Sequence, residues 1–176
     1  MEDTFASVLG EWQSFQNLAG AAAATLLGLL FVAVSIRPAL FGHAEHRDFL
    51  AIAAKSLGML ILVLAIALIT LIPHIDPAHM GIILAIIALL ALVNTTQQIV
   101  LMQKLLHEWG LLFVTRRIVL PVVGYALLLW VSIMLYAGQI HWVSWLAPAE
   151  ILFLFTATYN AWDLLVRVGN QPDNSS

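Results

Sequence analysis

Five long apolar stretches divided by short polar connections run along the chain, at 18–36, 52–72, 80–102, 116–137 and 146–167. Each approaches the roughly 20 residues that an α-helix needs to cross the hydrocarbon core of a bilayer. The pattern predicts an all-α integral membrane protein, a compact five-transmembrane-helix bundle over 17–168, with a segment at 1–16 before it and a short polar tail at 169–176.

The third stretch carries the sharpest change of character. Gly81 to Val93 are apolar or small without a break; Asn94-Thr95-Thr96-Gln97-Gln98 then interrupts before Ile99-Val100-Leu101. Unpartnered amides in hydrocarbon cost several kcal/mol. The block therefore calls for a protein interior, a lipid headgroup or a wet cavity beside it. Helical character is expected to continue through Gln103 and Lys104 toward His107 and Glu108.

In the first segment, Phe5, Val8, Leu9, Trp12 and Phe15 recur at spacings of three and four, which gathers them on one helix face. Two readings fit: an amphipathic interfacial helix over 1–16, or an N-terminal extension of the first span. Farther on, Gly20, Ala24 and Gly28 form a small-residue stripe that permits close helix contact, within the protomer or between copies. The alanine run at 21–24 makes the stripe less specific and favours packing within the protomer.

Composition agrees with the pattern: 62% of residues are hydrophobic, 10% are charged, and the mean hydropathy of +0.97 lies outside the balance of soluble domains. The first apolar run follows Glu2, Asp3 and Glu11 rather than a basic region, so it reads as a retained span and not as a cleaved signal peptide. Absence of cysteine excludes disulfides, thiolate catalysis and iron–sulfur ligation. No Lys/Arg cluster beyond Arg116-Arg117 exists to recruit nucleic acid.

Charge orients the predicted bundle. Arg37, Arg47, Lys55, Lys104, Arg116, Arg117 and Arg167 all fall on one side of the five spans, which predicts an N-out, C-in protein, and the short connections and the retained first span point to a bacterial cytoplasmic membrane. Glu2, Asp3, Glu11, Asp76 and Glu150 fall at the outer boundary.

On that topology Asn94 and Gln98, one helical turn apart, reach the inner third of the membrane. Tyr159, Asn160, Asp163 and Arg167 of the last span reach a similar level, and Lys55, Arg116 and Arg117 border it. These residues form either a satisfied packing network or an inner polar vestibule suited to anions or phospholipid phosphate. For the basic ones, a snorkelling border is the plainer account.

Histidines and acids invite a metal comparison at two places: His43 and His46 in the first connection, and His74, Asp76, His79, His141 and Glu150 at the outer boundary. Neither set follows a metal-binding motif, and both read equally as hydrated surface, so no metal or cofactor is assigned. Trp109, Trp142, Trp145 and Trp162 suit an interfacial belt, whereas Trp130 lies within the fourth span, to pack in the bundle or face lipid.

No phosphate loop, His-Glu-x-x-His site or nucleophile turn occurs. The sequence accordingly points to a small accessory or assembly protein, oligomeric or paired with another membrane protein and surrounded by membrane lipids. An ion or small-solute channel or transporter is the alternative, and a lipid-modifying enzyme comes third.

Overall fold

A computed structural model describes residues 4–36, 47–102 and 118–169, with side chains at 4–35, 53–95, 118–163 and 166. Among the described residues five helices form an all-α bundle without strands: α1 (Phe5–Ile36), α2 (Arg47–Thr70), α3 (Pro77–Met102), α4 (Leu120–Tyr136) and α5 (Leu146–Gly169). A 3₁₀ helix, Ile140–Trp145, leads directly into α5. Four helical stretches are long and apolar enough to span a membrane, and α4, at 17 residues, is a shorter apolar helix. The chain is thus a multi-pass integral membrane protein.

Helix ends follow from local chemistry. The α2 helix terminates in a turn in which His74 takes a positive φ of 56°. Asp76 then caps α3: its carbonyl accepts the Met80 N–H at 2.9 Å, and its Oδ2 accepts the Ala78 N–H at 3.1 Å. Pro77 follows at the first helical position, where a missing N–H costs nothing. At the far end of α4, Gly138 adopts φ 81°. The Gly138 and Gln139 N–H groups bond back to Leu135 and Met134 carbonyls at 2.9 and 3.0 Å, closing the helix with two otherwise orphaned acceptors satisfied. Buried Pro121 is accommodated in the first turn of α4.

The bundle consists of two antiparallel pairs joined by the last helix. α1 packs along α2, α3 packs along α4, and α5 lies against α1, α2 and α4. Sequential neighbours α2 and α3 touch only sparsely. Both pairs rely on small residues at the crossing. A Cβ on Gly20 would stand 3.1 Å from Ala67 Cβ, and one on Gly81 would stand 2.7 Å from the Ser132 carbonyl oxygen. Fully buried Phe153 supplies the centre, its ring lying over Gly124 and 5.0 Å from the ring of Tyr125. Met59, Leu60, Ile66, Leu84, Leu128 and Leu135 fill the interior around it. Apolar side chains such as Leu29, Val32, Leu90 and Phe155 point outward, as helices in contact with lipid require.

The structure adds detail to the predicted elements. Residues 5–16 belong to one continuous 32-residue helix with the first span. Their apolar stripe, Phe5 to Phe15, is partly buried against the core of the bundle. The α2 helix begins at Arg47, inside what reads as a polar connection, and a 3₁₀ helix occupies the last connection. Of the small-residue stripe, Gly20 is buried in the α1–α2 crossing, whereas Ala24 and Gly28 face out and nothing lies within 4 Å of a Cβ placed on Gly28.

Candidate functional site

The sparse contact between α2 and α3 leaves a recess of about 290 Å³, closed at its back by α4. Lys55 and Gly58 contribute from α2, Asn94 and Thr95 from α3, and Tyr125 from α4. Small residues on α2 and α3 keep the two helices from filling the space. Asn94 is exposed there and Lys55 is half-buried. Thr95 is buried and donates its hydroxyl to the Ala91 carbonyl at 2.9 Å, with the buried Tyr125 hydroxyl beside it. A cation, an amide and two hydroxyl-bearing side chains therefore border one opening. Such a set can hydrogen-bond an anion or a lipid headgroup.

The polar residues of α5 do not line this recess. Asn160 is buried, Asp163 is half-buried, and Tyr159 and Trp162 are exposed. Thr156 is buried and donates its hydroxyl to its own helix at the Leu152 carbonyl, 2.7 Å away. Lys55 and Asn94 are thus brought together, while Asn160 and Asp163 are placed elsewhere at the same end of the bundle. The side chains of Gln98 and Arg167, and residues Arg116, Arg117, His43 and His46, lie outside the described part of the structure.

At the opposite end the candidate ligands have separate settings. Asp76 and His79 meet at 3.3 Å, both exposed, with Asp76 serving as the helix cap. His141 is exposed with its ring 5.5 Å from that of Trp142. Trp142 also meets Trp130 edge-to-face at 6.0 Å and donates its indole N–H to Gln139 Oε1 at 2.9 Å. Among the described residues no group of three or more His, Cys, Asp or Glu side chains converges.

Glu150 departs most from its expected place. It lies one turn into α5 and is fully buried, at 0% exposure, instead of hydrated at a boundary. Gln16 of α1, at 2% exposure, faces it. The two side chains lie alongside each other without a formed hydrogen bond: Gln16 Oε1 and both carboxyl oxygens of Glu150 lack partners. Gln16 attracts no notice in the sequence, because an amide just before an apolar run resembles any boundary residue. Periodicity carries the available signal. Gln16 shares a face with Ala19, Ala23 and Leu30, and Glu150 shares one with Leu146, Phe153, Ala157 and Asn160, all buried.

Comparisons with protein-family models, curated proteins and solved structures find no match.

Proposed function

We propose that the protein is a small membrane accessory or assembly protein, working as a homo-oligomer or beside another membrane protein, with N-out, C-in orientation in a bacterial cytoplasmic membrane. The observation that carries this reading is the filled interior. Large apolar side chains occupy the centre, and the buried hydroxyls of Thr70, Thr95, Ser132 and Thr156 donate to carbonyls of their own helices. Hydroxyls satisfied in this way stabilise the packed bundle without calling for a solute partner. The outward face of α1 supports lateral association, since Ala21, Ala24 and Gly28 leave its backbone open to close approach.

The test is extraction in mild detergent followed by native mass analysis, with solute flux measured in parallel in proteoliposomes. A second copy or a defined membrane protein should be retained, and flux should equal that of protein-free vesicles. A persistent monomer that conducts a solute would overturn the proposal.

A second reading, an ion or small-solute pathway, is favoured by the meeting of Lys55 and Asn94 at one recess. It requires that recess to continue through the membrane. Asn94→Ala would then lower flux.

A further inference from the structure

Gln16 and Glu150 bury three oxygen acceptors side by side: Gln16 Oε1 and the two carboxyl oxygens, all without partners. Neither side chain reaches solvent appreciably. A carboxylate there would carry its charge among apolar neighbours with at most one amide to answer it, which is among the costliest arrangements in a protein interior. One added proton changes the chemistry. A carboxylic acid and a carboxamide are complementary: the acid O–H donates to the amide oxygen, and the amide N–H donates to the acid carbonyl.

We propose that Glu150 and Gln16 form a buried proton-binding site that ties α1 to the start of α5. The step is simple to balance. A hydronium ion of the bulk solvent gives up one O–H proton to a carboxyl oxygen of Glu150 and leaves as water, the new O–H donates to Gln16 Oε1, and Gln16 Nε2–H donates to the second carboxyl oxygen. The terminal torsions of both side chains are broad, so their planar groups turn toward each other at little cost. All three orphaned oxygens are then satisfied, and no charge remains in the interior.

The surroundings leave the proton as the fitting ligand. On α1, Glu11 is exposed. On α2 the charged residues are Arg47, Asp48 and Lys55, all in the first half of the helix, whereas α5 begins beside the opposite end. The α4 sequence contains no acid, base or histidine, and its titratable side chains are Tyr125 and Tyr136. On the 3₁₀ helix, His141 is exposed. Asp163 lies three turns or more farther along α5. Among the described residues no second charged side chain is buried with Glu150, so no ion pair answers a carboxylate. A dehydrated metal ion would want more oxygen ligands than these two side chains provide.

The site goes beyond the accessory role and does not depend on it. Infrared spectra of the full chain in lipid nanodiscs at neutral pH provide the test. The difference between wild type and Glu150→Gln should contain a carboxylic-acid C=O band that shifts in D₂O. Gln16→Leu should retain that band but move it to higher frequency, because the acid loses its amide partner. Glu150→Gln is nearly isosteric and should stay folded, which separates loss of the band from loss of structure. A carboxylate signature in place of the acid band would overturn the proposal. So would thermal stabilisation by Na⁺ over choline that vanishes in Glu150→Gln, since it would assign the three oxygens to a metal cation.

Discussion

Gly81 meets Ser132 so closely that a single methyl group cannot be placed between α3 and α4. A Cβ on Gly81 would lie 2.7 Å from the Ser132 carbonyl oxygen and 2.8 Å from the Tyr136 nitrogen. Both obstacles are backbone atoms within a helix, so neither can swing aside. Gly81→Ala should therefore separate the two helices and cost about 1–3 kcal/mol, as overpacking generally does. Gly28→Ala is the control: its methyl meets nothing within 4 Å. It should lose no stability, and alanine's helix propensity adds up to about 1 kcal/mol. Thermal denaturation of both variants in one detergent compares them, and equal losses would contradict the crossing described here.

Phe153 and Gly124 supply a test of coupling. A Cβ on Gly124 would stand 2.6 Å from the Phe153 ring, which is fully buried. Gly124→Ala should destabilise by crowding, and Phe153→Leu by leaving space. Combined, each change relieves part of the other, so the double variant should be more stable than the sum of the singles by about 1 kcal/mol. Strict additivity in a denaturant cycle would count against direct contact.

The turn before α3 separates a cap from a ligand. Asp76→Ala removes the oxygen that accepts the Ala78 N–H and should cost about 1 kcal/mol. Asp76→Asn retains a capping oxygen and should remain within about 0.5 kcal/mol of wild type. His79→Ala should also be nearly silent, because exposed pairs contribute little. If Asp76→Asn and His79→Ala were each as damaging as Asp76→Ala, the pair and not the cap would be the important element.

The number of helices is legible in the sequence because hydrocarbon imposes a length on each crossing. Direction of facing is less legible. The stripe from Phe5 to Phe15 has the same spacing whether it lies on a membrane or on neighbouring helices, and only the bundle decides that it packs on the core. Asn94 stands out as polar within an apolar run, but its exposure depends on how sparsely α2 meets α3. Glu150 is harder still. Its place on the buried stripe of α5 can be read from periodicity, but an acid one turn beyond Trp145 equally suits a hydrated boundary. That Gln16 comes to face it depends on how α1 docks, which neither residue's local sequence encodes.

The recess supplies the remaining prediction, which bears on the choice between assembly and conduction. Gly58 lines it, and nothing lies within 4 Å of a Cβ placed there. Gly58→Leu should project bulk into the opening with little effect on folding, and exposed Asn94→Ala should fold as well as wild type, each within about 0.5 kcal/mol. On the accessory reading neither substitution changes solute flux in proteoliposomes, because the recess forms no part of a continuous passage. A pathway makes the opposite demand: filling the opening and removing its amide would both reduce flux. Parallel loss of flux in these two well-folded variants would therefore move the assignment from assembly to conduction.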